Sequence, residues 1–345
     1  MRRLCTSLGY GFLMVLVSCS EQVDIPQENT PIMLQASIGE VENSSRVAAS
    51  PFRGKYPTTE QPLDAAVWFS LTSEKYGNNS SNVLPCHTTI TFTDDTPQPA
   101  KYDGIGLVYP TPTEGETEGA NVYCVGFHPA ADWQSVDDNQ YAEHEIDGVK
   151  DLMFAPRIEG NWNSHFQGQK YQHLLTWLKI NVCATNMDAA DTWGNIEEIT
   201  ITSRKKVKIK LSDGSFTYTE DIVPISVFKA GEGGAESEAI PLKIAMQEVG
   251  SVLCSPPSAT RKIMNDDGTE TFENEYVVTI KTDKIEEKKE LYVDLNLANV
   301  QQAAGKLYVL TFYFKPFRLV ESSCTLETWD AVNEDLYPDN PSQSN

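Results

Sequence analysis

The sequence predicts an all-β protein built from β-sandwiches, and three observations predict it. Short stretches of alternating apolar and polar residues recur along the chain, turn-forming clusters separate them, and helical periodicity is nearly absent. The first stretch is 32–38, where Ile32, Leu34, Ala36 and Ile38 fall on one face and Gln35 and Ser37 on the other. Alternation returns at 66–71, 89–93, 122–127, 174–184, 199–203, 207–211, 222–228, 276–281, 291–297 and 307–314. Asp213-Gly214-Ser215, Gly231-Glu-Gly-Gly234 and Asn265-Asp-Asp-Gly268 supply turns between them. The one helical candidate is 297–304, stopped by Gly305. Leu178, Ile180 and Val182 are expected on a buried strand face, and Trp68, Trp177 and Trp329 in sandwich interiors. No fixed-period repeat is visible, which argues against solenoids and propellers.

The N-terminus reads as an export signal. Arg2 and Arg3 precede an apolar run at 8–17, interrupted at Gly9, Tyr10 and Gly11, that is too short to span a bilayer. Leu16-Val17-Ser18-Cys19 has the layout of a lipoprotein cleavage site, so residues 1–18 are expected to be removed and Cys19 to carry lipid. Residues 19–31, polar and holding Pro26 and Pro31, read as a flexible leash. The remaining length suits two domains, divided at the polar, glycine-containing segment 157–171 into 32–167 and 168–345.

A net charge of −22 repels phosphate backbones, which argues against nucleic-acid binding. Beyond Cys19, the cysteines Cys86, Cys124, Cys183, Cys254 and Cys324 are odd in number and widely spaced, so they form no disulfide framework. Cys124 and Cys183 read as small buried hydrophobes. The histidines His87, His128, His144, His165 and His173 fall at no short ligand spacing, and no metal or cofactor is expected. Nucleophile elbow, phosphate loop and dinucleotide fingerprint are all absent from the sequence, so catalysis has no constellation to rest on. The carboxylate pairs Asp94-Asp95, Asp137-Asp138, Glu197-Glu198 and Asp266-Asp267 read as solvated turns or opposite strand faces. Trp133 and Trp162, in polar loops, are the two rings that would suit sugar stacking.

Several phrases in order resemble the fimbrillin-like surface lipoproteins, subunits and accessory or tip subunits of type V pili. They are the lipobox; Ala36-Ser-Ile38 followed by Ser45-Arg46-Val47; Val122-Tyr-Cys-Val-Gly-Phe-His-Pro129; Asp151-Leu-Met-Phe-Ala155; Tyr171-Gln-His-Leu-Leu175; and Gly305-Lys-Leu-Tyr-Val-Leu-Thr-Phe312 with Thr328-Trp329. Cys124, Gly126 and Thr176-Trp177 depart from the family pattern. The resemblance implies two transthyretin-like Greek-key β-sandwich domains in tandem. It also implies a palmitate-bearing lipoprotein of the outer membrane that becomes part of a cell-surface fimbrium, assembles by strand exchange with other pilus subunits, and serves adhesion or biofilm formation. A protease cutting after an arginine would remove the lipid and the first strand.

Removal of a strand bearing Ile32, Leu34, Ala36 and Ile38 would open an apolar groove with unpaired backbone groups, which another chain could fill. Arg46, in the polar Asn43-Ser-Ser-Arg-Val47, is the expected cut site, and Arg53 is the alternative. Segment 321–329 of a neighbour is a donor candidate, whereas 330–345, polar and holding Pro338 and Pro341, reads as a flexible end. A host or glycan receptor is a further expected partner. The competing reading from another class is a surface glycan-binding lipoprotein that captures polysaccharide.

Overall fold

The computed structural model describes residues 30–38, 51–52, 54–77, 84, 86–231, 238–264, 267–268, 270–295 and 303–327. Within them the architecture is β throughout, with one short α-helix. The predicted first strand is present in two parts, β1 (Met33–Leu34) and β2 (Ala36–Ile38), divided at Gln35. The chain continues through β3 (Leu63–Ser70), β4 (Cys86–Phe92), the short β5 (Gln98–Pro99), β6 (Lys101–Tyr102) and β7 (Ile105–Gly106), then β8 (Val122–His128). β9 (Gln134–Val136), β10 (Tyr141–Glu145), β11 (Met153–Gly160) and β12 (Gln169–His173) follow.

Six of these strands form one sheet in the order β2-β12-β11-β8-β3-β4. Side chains alternate across a strand, and here the alternation sorts them into two cores. Leu63, Ala65, Val67 and Phe69 of β3 join Val122 and Cys124 of β8 and Met153 and Ala155 of β11 in the first. Ala66, Trp68, Val125, Phe127 and Phe154 point the other way, into a core shared with the second half of the chain. A sheet buried on both faces reads as apolar runs instead of clean alternation, as in Ala65-Ala-Val-Trp-Phe69.

The second half comprises β13 (Thr176–Ala184), α1 (Met187–Trp193), β14 (Asn195–Arg204), β15 (Lys206–Lys210), β16 (Phe216–Tyr218), β17 (Ile222–Lys229) and β18 (Ile240–Pro241). It closes with β19 (Gln247–Cys254), β20 (Ser258–Met264), β21 (Glu270–Thr282), β22 (Ile285–Asp294), β23 (Leu307–Lys315) and β24 (Leu319–Glu327). One sheet runs β19-β13-β23-β24, with β13 parallel to β23. The other runs β17-β14-β21-β20, with β18 added on β14 and β22 on β21. Leu178, Ile180 and Val182 are fully buried as expected, and Ile199, Ile201, Val278, Ile280, Leu310 and Phe312 share their core.

Two features differ from the sequence reading. α1 was not expected: Asn186 caps it, its Oδ1 accepting from the Ala189 backbone N–H at 2.8 Å, and Gly194 ends it at φ +74°. Seven residues hold too few turns for helical period to stand out. Donor segment 321–329 proves to be largely engaged at home, because β24 pairs with β23 in unbroken register from Leu307↔Glu327 to Lys315↔Leu319. The helical candidate 297–304 falls outside the described residues as far as 302.

Beyond residue 167, β12 still pairs with β11 and β2, while β10 pairs with β15 in a sheet ordered β16-β15-β10-β9. β15 reads Lys206-Val-Lys-Ile-Lys210: Val207 and Ile209 enter the core, and the lysines outside meet Glu143, Asp137 and Asp213 in turn. The carboxylate pairs are likewise structural where described. Asp94 accepts from Thr96 N–H, and Glu197 and Glu198 pair with Lys281 and Lys288 at 2.6 and 2.7 Å.

Candidate functional site

The residues of the first strand are all seated. Ile32, Leu34, Ala36 and Ile38 are at most 2 % exposed and belong to the first core, while Met33 faces solvent and Gln35 and Ser37 are half-buried. Backbone bonds hold both edges of the segment. On one side it runs antiparallel to the chain around β5: Met33 pairs with Pro99, Ile32 N–H donates to Leu107 O at 2.8 Å, and Ala100 N–H donates to Ile32 O at 3.0 Å. Tyr109 N–H reaches Thr30 O at 3.0 Å. On the other side β2 runs parallel to β12, with Ala36 opposite Gln169 and Ile38 opposite Tyr171, and Gln169 N–H donates to Gln35 O at 2.7 Å. The segment changes partner at Gln35 and so joins the six-stranded sheet to the layer that covers it.

Burial of Ile32, Leu34 and Ile38 stabilises the fold by about 5–9 kcal/mol at the usual value for a fully buried aliphatic side chain. A whole domain is stable by only about 5–15 kcal/mol. Without an occupant, the position would leave an open apolar slot and two rows of unpaired backbone groups.

A polar network lies on the same face beside β2. Gln169 is fully buried; its amide Nε2 contacts Cys124 Sγ at 3.3 Å, and its Oε1 accepts from Tyr171 Oη at 3.2 Å. Both side chains lean over Gly126, where an added Cβ would lie 2.3 Å from the Tyr171 hydroxyl. Burial pushes the Cys124 thiol and the Tyr171 phenol well above their ordinary ranges, which keeps both neutral. Gly126, noted above only as a departure, is thus a steric requirement.

At the other end of β12, His173 Nδ1 lies 2.8 Å from Asp151 Oδ2, with side chains 2 % and 1 % exposed. The same carboxylate oxygen accepts from the backbone N–H of buried Phe52 at 2.9 Å. Phe52 packs edge-on against His128 at 6.3 Å, and His128 Nδ1 is 2.8 Å from Asp64 O. The phrases beginning at Val122, Asp151 and Tyr171 therefore converge at one place, through the registers Met153↔His128 and Met153↔His173. Sequence reasoning quoted these phrases without seeing that Asp151 and His173 are partners; a carboxylate and a histidine inside otherwise apolar phrases was the available signal.

Cys19, Arg46, Arg53 and Trp329 lie outside the described residues. Trp68 and Trp177 are buried as expected, Trp68 stacked on His87 at 4.0 Å. Trp133 and Trp162 are half-buried and pack against the two cores, Trp133 with its ring 4.7 Å from that of Phe127. Neither ring stands free as a stacking platform. No group of His, Cys, Asp or Glu able to hold a metal occurs among the described residues, and no helix there is long and apolar enough to cross a membrane.

No protein-family model matches the sequence, and no curated protein matches it. Among solved structures, the chain is similar to a candidate cell adhesion protein from Bacteroides uniformis, at 14 % identity and TM-score 0.49, over 87 % of this chain and 98 % of that one. A candidate polysaccharide-binding protein from Bacteroides thetaiotaomicron matches at 8 % identity and TM-score 0.44, over 87 % and 96 %. The fimbrial anchor protein Mfa2 from Porphyromonas gingivalis matches at 10 % identity and TM-score 0.39, over 87 % and 98 %.

Proposed function

We propose that this chain is a non-enzymatic structural or accessory subunit of a cell-surface pilus of the type V kind, serving adhesion. It is exported as a lipoprotein acylated on Cys19, folded on the outer-membrane surface as two sandwich units, and joined to other subunits by exchange of its first strand. The observation that carries this reading is the seating of residues 30–38: an apolar face wholly buried and both backbone edges bonded. Such a strand is a placeholder, because the slot it fills is too costly to leave empty in water and suits replacement by a strand of another chain. The sequence phrases and the β architecture agree with the same reading. Cutting after Arg46 leaves the chain attached at Phe52, whereas cutting after Arg53 would sever the segment that Asp151 holds. Arg46 is therefore the favoured processing site.

The test incubates full-length protein with an arginine-specific protease and follows the new N-terminus by mass spectrometry and the size distribution by chromatography, with Arg46→Ala and Arg53→Ala alongside. An N-terminus at Val47 and larger assemblies in the presence of partner subunits are expected. An uncut chain, or a cut one that stays monomeric with partners present, overturns the proposal. Labelling with a fatty-acid analogue, expected in the wild type and lost in Cys19→Ala, checks the anchor.

A further inference from the structure

We infer that the slot beneath the first strand selects its donor by size and direction: the incoming strand runs parallel to β12, with bulky apolar residues at its first, third and seventh positions and an alanine-sized residue at its fifth. The inference rests on the strand-exchange reading and specifies the partner. The template is the present occupant, Ile32, Leu34, Ala36 and Ile38, whose buried side chains run large, large, small, large.

The small position has a visible cause. Ala36 lies directly opposite Gln169, and residues opposite one another on adjacent strands project to the same face. Gln169 cannot turn aside without giving up its contacts to Cys124 Sγ at 3.3 Å and the Tyr171 hydroxyl at 3.2 Å inside an apolar layer. Nor can the pair shift across the sheet, since Gly126 has already surrendered its side chain to make room for them. A larger side chain at position 36 would have to break that network or lift the strand.

Direction is read on both edges. Parallel and antiparallel pairing place backbone groups differently along a strand. β12 offers Gln169 N–H to the carbonyl of Gln35 in a parallel register, while Leu107 O and Ala100 N–H meet Ile32 in an antiparallel one. A strand laid in reverse would mismatch both. Within this chain the stretch Leu319–Glu327 is already paired as β24, so the fitting occupant is a strand of a partner subunit with the stated pattern.

The experiment has two arms. In the first, the chain is cut with the arginine-specific protease and titrated by fluorescence anisotropy with labelled peptides: the sequence of residues 30–38, the same peptide with Ala36→Leu, and the same peptide in reverse order. The Ala36→Leu and reversed peptides are expected to bind about tenfold or more weakly than the first, the scale of overpacking a core by a few methylenes. Equal binding of the three overturns the inference. In the second arm, thermal stability of the uncut chain is compared for Ala36→Ser, Ala36→Leu, and Ala36→Leu combined with Gln169→Ala. Ala36→Ser is expected to melt near the wild type, Ala36→Leu clearly lower, and the double variant to regain part of the loss. An Ala36→Leu chain as stable as the wild type overturns the size rule even if the protease never cuts, whereas failure to cut alone refutes the processing step and leaves the slot's selectivity to this arm.

Discussion

Asp151 and His173 face each other at 2.8 Å in a site closed to water, and the oxygen that meets the histidine also takes the backbone N–H of Phe52. One carboxylate thus fixes the start of β11, the end of β12 and the chain that returns from the first strand. Breaking a buried pair by removing one member leaves the other uncompensated. Asp151→Ala is expected to lower unfolding stability by about 3–5 kcal/mol in chemical denaturation, with faster hydrogen exchange at the Phe52 amide. A loss within the error of denaturation curves, with Phe52 still protected, would show that the pair is dispensable.

Leu34 is buried and its neighbour Met33 is exposed. Leu34→Ala should therefore cost about 2–5 kcal/mol, while Met33→Ala stays near neutral. Comparable losses from both would mean that the alternation of the first strand does not decide its seating.

His87 and His128 both have their protonation held below the ordinary histidine value of 6.5, chiefly by burial. The unfolded chain then binds protons at a pH where the folded chain resists them, so stability is whole above about 6.5 and declines as pH falls through that range. Melting temperature measured between pH 8 and pH 5.5 should fall on the acid side, and His87→Phe, which keeps a ring against Trp68, should flatten the decline. Parallel pH profiles for variant and wild type would remove His87 from the account.

At the turn between β23 and β24, Phe317 is 98 % exposed and adopts φ +63°. A bulky residue in the left-handed region pays about 1–2 kcal/mol, and here no burial offsets it. Phe317→Gly is expected to raise the stability of the isolated chain by about 1 kcal/mol, read as a higher denaturation midpoint. A lowered midpoint would reveal a stabilising role for the ring.

The first strand was legible because one of its faces is buried and the other is not, the condition under which period-two alternation appears in sequence. β3 and β13 were marked as alternating stretches at 66–71 and 174–184, although both faces of each are largely buried. β11 and β12 escaped notice: β11 runs from Met153-Phe-Ala155 into Pro156-Arg-Ile-Glu159 across a register shift, and β12 carries Gln169 and His173 on its buried side. Polar residues that are satisfied only by tertiary partners look like loop residues in a linear reading. The same blindness hid the site, since Asp151 and His173 stand 22 positions apart and nothing local joins them. The small size of Ala36 was plain, but its reason lies on the neighbouring strand.

The way residues 30–38 are held also sets how the molecule answers force. Bonds to Leu107, Ala100 and β12 lie across the strand, so a pull on the chain ahead of Thr30 along the strand axis loads them together in shear. β24, by contrast, is bonded along one edge only, and a pull at Glu327 directed away from the sheet peels its bonds one after another. Single molecules held at residues 30 and 327 should give way first at the β24 end, which would leave the covering of the first core intact while the far end yields.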